Sequence, residues 1–281
     1  MTPSSRHGAY GLRLGGVESV QDLLVPADES WPALELCARV GDASAERQWV
    51  RRDSALLRMP SGGQVEVDWL LGRAVFTLPR QTSAAELLHP YLAPVAGIAA
   101  YRGGRESFHA GAIVADSGAW AVLGDKGAGK SSLLAWLALH GQPVVADDVV
   151  VLDDRQRALA GPRFIDLRAG AAARLGAGKS IGVVGARERY RMPIGAAVPA
   201  ATPLRGFVLL SWADAPVISE VPAARRLTEL FGHRVVRIEP TDASPLLELS
   251  TLPMLELRRP RDWRAAGAAA GVLLGALSAA G

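Results

Sequence analysis

The sequence predicts an α/β fold in two parts, a β-rich unit over residues 1–100 and an α/β unit over residues 101–281. Three observations carry this reading. The first hundred residues hold short apolar or alternating runs separated by Gly, Pro, Asp and Ser, the pattern of strands and hairpins. A glycine-rich stretch, GDKGAGKSS at Gly124–Ser132, lies between a strand-like run and a helix-like run. A valine-rich run, VVADDVVVLDD at Val144–Asp154, then reads as a buried strand.

The elements follow in chain order. ALELCARV, SALLRMP, QVEVDWLLG and RAVFTLP are expected strands. From Ser83 to Tyr101 the spacing of Ala84, Leu87, Leu88, Tyr91, Leu92 and Val95 is helical, with Pro90 and Pro94 predicting a kink or break. FHAGAIVA and AWAVLG read as a hairpin turning at Asp116-Ser117-Gly118. SSLLAWLALH is a helix ended by Gly141. GFVLLSW, RVVRIEP and LPMLELRRP read as strands. PAARRLTELFG reads as an amphipathic helix with Ala224, Leu227, Leu230 and Phe231 on one face. The terminal AAGAAAGVLLGALSAAG, 17 residues rich in Ala and Gly, is expected to pack as a helix; a spanning helix needs ~20 strongly apolar residues.

Composition narrows the classes. Apolar residues make up 49% and charged residues 21% of 281, an ordinary globular balance. The net charge of +3 is spread along the chain, which does not favour nucleic acid as a partner. Cys37 is the single cysteine, so no intramolecular disulfide forms, and a reducing cytoplasm is expected. The opening MTPSSRHGAY has no apolar stretch of the secretory kind, and no membrane association is expected.

The chemistry concentrates after residue 100. Gly124, Gly129, Lys130 and Ser131 match the P-loop pattern, with strand before and helix after. Across Gly124, Asp125, Lys126, Gly127, Ala128, Gly129, Lys130, Ser131 and Ser132, backbone N–H groups would close on nucleotide phosphates at a helix N-terminus. Lys130 would reach the β- and γ-phosphates and the Ser131 hydroxyl would hold Mg²⁺. LGAGKS at Leu175–Ser180 is a decoy: its first glycine would fall at Ala173, and no strand precedes it. Lys179 there reads as an exposed loop lysine. Asp147 lies 17 residues after Lys130, room for one helix and a turn. Strand neighbours point to opposite faces, so Asp147 and Asp148 would do different work: one receives a proton from a hydroxyl, the other organises metal-bound water or a basic partner. A bulge re-aiming one of them is the alternative. Asp153 and Asp154 read as an exit turn.

The stretch Phe108–Leu152 resembles the core of HPr kinase/phosphorylase: a His after the leading strand, a hairpin, a P-loop, a helix ending in Gly, then an Asp-Asp strand. The resemblance implies a core related to phosphoenolpyruvate carboxykinase rather than to Ras-like NTPases. It implies Asp147 as general base toward a serine hydroxyl, Asp148 in a metal-linked role and His109 in support. On its own, His109 also reads as a strand-end histidine with a satisfied hydrogen bond. GPRFIDLRAG is similar to an E-x-R-G-type signature that places an acidic residue near Mg²⁺. Asp166 and Arg168 would be the counterparts, although Asp stands for Glu and the spacing is shorter; a surface Asp–Arg pair is the other reading. Segments at 10–19, 89–111, 203–232 and 249–266 resemble the smaller HPr-kinase-related proteins of peptide natural-product clusters, lasso-peptide kinases above all.

The expected function is therefore an ATP- and Mg²⁺-dependent kinase acting on a hydroxyl, a serine of a small precursor peptide first of all. A small-molecule hydroxyl kinase and a non-catalytic nucleotide-binding partner are the alternatives. Arg189 and Arg191 in RERYRMP are candidates to steady a γ-phosphate or peptide carboxylate, against a solvated charge cluster. Residues 1–100 are expected to bind substrate or to dimerise the chain, and a homo-oligomer is compatible with the resemblance.

Overall fold

A computed structural model describes residues 6–43, 47–59, 62–116, 118–184, 187–238 and 243–280. It is a mixed α/β structure with three sheets. The four expected N-terminal strands form as Ala33–Val40, Ser54–Arg58, Gln64–Asp68 and Arg73–Leu78. They join His7–Ala9, Leu12–Gly15, Val25–Pro26 and Trp49–Val50 in an eight-stranded sheet. The last three expected strands pair antiparallel, whereas Ala33–Val40 lies parallel to both Leu12–Gly15 and Arg73–Leu78.

The helical segment after this sheet breaks where Pro90 predicted. Ser83 closes a capping box with Glu86, and Leu92–Arg102 is regular helix. Between them His89 is extended, at φ −157° and ψ 125°. A residue before proline is pushed out of the helical region by the proline ring. His89 is therefore turned out of the helix, and its ring points inward.

The second sheet has nine strands. Its centre is Gly118–Leu123 beside Ala201–Trp212, parallel, with Met254–Arg259 parallel on the far side of Ala201–Trp212. Alternation along Gly118–Leu123 divides the interior. Ala119, Ala121 and Leu123 face the cluster shared with the N-terminal sheet. Trp120 and Val122 face a second cluster, with Leu133, Leu134 and Leu137 of helix Lys130–Leu139. Ala270, Leu273 and Leu277 of the terminal helix Ala266–Ala280 close that second cluster. Trp263–Ala280 is long and apolar enough to cross a membrane by length and composition alone, with one face packed in this way. A third, three-stranded sheet orders Phe164–Leu167, Arg187–Pro193 and Lys179–Val184.

Three expectations change. VVADDVVVLDD is two strands, Val144–Ala146 and Val150–Leu152, because its halves pair with different partners. RVVRIEP does not form a strand over its described residues; the segment makes one bridge, Phe108 to Arg234. Gly111–Ala115 and Gly118–Leu123 do form the expected hairpin, although Ser117 of its turn lies outside the described residues. Helix Ala223–His233 forms, but of its expected apolar face only Leu230 is buried, and Phe231 is exposed.

Candidate functional site

Three neighbouring parallel strands end at the same edge and deliver the loop, Trp212 and Arg259 side by side. Open α/β sheets place ligands at such carboxyl ends. Gly124–Gly129 connects strand Gly118–Leu123 to helix Lys130–Leu139, the context its motif requires. Gly129 caps the helix at φ +82°, and a β-carbon there would sit 2.6 Å from an Arg259 nitrogen and 3.2 Å from Trp212. Only glycine meets both demands. A β-carbon on Gly127, at φ +97°, would meet nothing, so the loop's outer side is open for phosphate oxygens. Arg259 Nη2 donates to the carbonyls of Ala128 (3.0 Å) and Gly129 (3.2 Å), bracing the loop from behind. The Arg259 guanidinium lies 4.6 Å and that of Arg261 5.8 Å from the Trp212 ring. Asp125 and Lys126 are exposed and Ala128 is buried. Lys130 is buried and its ammonium donates to Gly124 O; burial lowers its pKa against the pull of Asp147, Asp148 and Asp125.

The break in the valine run falls on the aspartate pair. Asp148 adopts φ +70°, a left-handed conformation that costs a non-glycine residue of order 1 kcal/mol or more. The Tyr10 hydroxyl donates to Asp147 O at 3.1 Å, and Val149 N donates to the same carbonyl at 2.9 Å. The two carboxylates consequently have separate partners. Ser131 Oγ donates to Asp147 Oδ1 at 3.1 Å. Burial and the adjacent Asp148 charge raise the Asp147 carboxyl to about 6. Asp148 is opposed by burial, yet the His89 hydrogen bond and charge win and hold it near 2. His109 Nδ1 donates to Asp148 O at 2.9 Å and lies 3.6 Å from Asp148 Oδ1. Burial and Lys130 lower the His109 pKa.

His89 joins two carboxylates. Its Nε2 lies 3.5 Å from Asp148 Oδ2 and its Nδ1 3.0 Å from Asp166 Oδ2. Burial opposes its charge, but with a carboxylate at each nitrogen its pKa rises to about 10, so it is an imidazolium at neutral pH. Asp166 lies directly across from Arg191 in the third sheet, and Arg191 grips it with Nε at 2.8 Å and Nη2 at 2.6 Å. Arg191 also lies 3.7 Å over the Phe164 ring and donates to Ala85 O.

These contacts revise the expected places of several residues. Both Asp166 oxygens are engaged by Arg191 and His89, and through His89 Asp166 is linked to the aspartate pair. Its partner is Arg191, not Arg168, which is exposed. Arg189 and Arg191 part company, one on the cleft wall and one in the buried pair. Lys179 is exposed as expected, but it opens strand Lys179–Val184 and does not lie in a loop.

A cleft of about 1170 Å³ joins these parts. Lys130, Ser131, Asp147 and Asp148 line it, as do His109, Trp212 and Arg234. Arg234 forms a buried two-toothed pair with Glu106 at 2.8 and 2.6 Å, and among the described residues its Nη1 meets no hydrogen-bond partner. Sequence reasoning missed Tyr10, His89 and Arg234. For His89 a signal was present, since a histidine before a helix-breaking proline is freed from the helix.

No family model matches this chain, and no curated protein matches it. Among solved structures, the HPr(Ser) kinase/phosphatase from Coxiella burnetii is similar over 61% of this chain and 95% of its own. The identity is 14% and the TM-score 0.32. A likeness of that size assigns neither a family nor an activity.

Proposed function

We propose that this chain is an ATP- and Mg²⁺-dependent kinase that transfers a phosphoryl group to a hydroxyl. The observation that carries the reading is the meeting of Ser131 Oγ and Asp147 Oδ1 at 3.1 Å, beside the buried ammonium of Lys130. A hydroxyl and a carboxylate are hard oxygen donors of the kind Mg²⁺ takes. The Asp147 carboxyl is raised to about 6 by burial and the Asp148 charge, and a divalent cation would favour its ionised form. Ser131 and Asp147 would hold Mg²⁺, and its charge would offset that of the phosphates. The Gly127–Ser132 amides and Lys130 would hold the phosphate oxygens.

Asp148, kept ionised by His89, accepts a hydrogen bond from the acceptor hydroxyl and orients it. Phosphoryl transfer through a loose transition state needs positioning more than a strong base, so a carboxylate near 2 suffices. This exchanges the roles that the family resemblance implies for Asp147 and Asp148. His109, bonded to the Asp148 carbonyl, fixes the left-handed turn on which that carboxylate stands.

For the acceptor we propose a serine of a small precursor peptide, of the lasso-peptide kind the sequence resembles. A cleft of about 1170 Å³ exceeds the ~300–1,000 Å³ usual for one small ligand and leaves room for a peptide beside a nucleotide.

The test is mass spectrometry of serine peptides incubated with the protein, ATP and Mg²⁺. One added phosphate is expected. Asp148→Asn should lower kcat with the Mg²⁺ requirement unchanged, and Asp147→Asn should raise the Mg²⁺ concentration needed. The reverse pattern would restore Asp147 as the base. Intact ATP binding with no transfer to any peptide or small hydroxyl would end the kinase reading.

A further inference from the structure

The third sheet carries arginines along one face. Arg187, Arg189 and Arg191 stand at alternate positions of strand Arg187–Pro193 and therefore share a face. The innermost, Arg191, is consumed by Asp166. The register pairs Leu167 with Tyr190, and Arg168 continues extended at φ −80° and ψ 155°. The same register carried one residue past the end of the strand would set Arg168 opposite Arg189. Like charges placed across from each other destabilise a sheet. Burial first, then the neighbouring Arg187 and Arg189 charges, lower the Arg168 pKa. Among the described residues no carboxylate pairs with Arg168, Arg187 or Arg189. All three line the cleft that holds the loop and the aspartates.

A fold that crowds three guanidinium groups on a cleft wall without a carboxylate to pair them is missing an anion. We propose that Arg168, Arg187 and Arg189 form an acceptor subsite for a carboxylate-rich peptide segment adjoining the hydroxyl. The stripe starts at Arg191, which binds Asp166 and through it His89 and Asp148. A segment lying along it is led toward the aspartate pair. The proposal rests on the kinase reading for its purpose, but its test does not need turnover.

The probes are two fluorescein-labelled peptides, a serine flanked by four glutamates and the same peptide with four glutamines. Anisotropy should show the glutamate probe binding about tenfold tighter, three exposed pairs contributing together. The variant with Arg168→Gln, Arg187→Gln and Arg189→Gln should lose that preference. Because repulsion is removed, it should melt at the same or a higher temperature. No preference in the wild type, or a preference that survives in the variant, overturns the proposal. A lowered melting temperature also overturns it, since the arginines would then have partners within the fold. ATP displacing the glutamate probe would assign the cluster to nucleotide phosphates instead. Tight, arginine-dependent binding of the probe, with no transfer to any peptide or small hydroxyl, would keep this subsite and sink the kinase reading.

Discussion

Two regions of the site are built in opposite ways. The loop Gly124–Ser132 closes within one short stretch, its Lys130 bonded back to Gly124 and its helix starting at once. The chain Asp148–His89–Asp166–Arg191 gathers its members from separate segments, with 77 residues between His89 and Asp166 and 25 between Asp166 and Arg191. The loop needs its glycines and the brace that Arg259 provides from behind. The chain needs three packed elements to bring its charges into contact, and each buried charge is tolerable only while its partner is there. On the proposed kinase reading, the loop is the part on which chemistry depends most, and the chain the part on which folding depends most.

The sharpest way to break that contrast is Lys130→Met. Transfer should fall about 10³-fold, as when one preorganised transition-state donor is removed, with the melting temperature nearly unchanged. A fall of under tenfold in a coupled ATP assay would mean the loop is not where the phosphate reacts. Next comes His89→Ala, which removes the cation between Asp148 and Asp166 and leaves Asp166 only its Arg191 partner. Breaking a buried pair in this way costs about 3–5 kcal/mol in denaturant unfolding, and a loss under about 1 would show the chain to be incidental. The pH sign follows from a folded pKa of about 10 against an ordinary 6.5. The stabilisation is full below about 6.5 and disappears as pH rises through 10, so the wild-type advantage over His89→Ala should shrink across that window.

A smaller effect joins the two regions at Asp147. With its carboxyl at about 6, a proton competes with Mg²⁺ below that pH. Apparent Mg²⁺ affinity should drop by up to about tenfold per unit below pH 6 in titration calorimetry, and Asp147→Asn should abolish the dependence. The mildest change is Arg259→Ala, which removes the two hydrogen bonds behind the loop. The KM for ATP should rise about fivefold to tenfold, and an unchanged KM would show that the loop holds its shape unaided.

Much of the fold was legible because its signals are local. The alternating runs before residue 80 became strands, Pro90 broke its helix, and the motif at Gly124 stands between strand and helix. The errors have one physical source, partner choice. A run of valines states that residues are buried in extended conformation, but not that Val144–Ala146 and Val150–Leu152 pair with different strands and force a turn at Asp148. RVVRIEP is rich in β-branched residues, yet Arg234 is held by Glu106 across 128 residues, and the described part of the segment serves as a strap. In the sequence Arg168 and Arg189 were separate candidates with different roles, and only the fold sets them with Arg187 on one wall of the cleft.

By itself the sequence determined the glycine-rich loop, the lysine and serine after it, the position of the aspartate pair and the break before Pro90. Each depends on conformational preferences that act within a few residues. Only the tertiary structure decided that the pair divides between Ser131 and His89, that Asp166 pairs with Arg191, and that three arginines share one wall of the cleft. Those outcomes turn on which charges meet across elements distant in sequence, and burial sets the cost of leaving any of them unpaired.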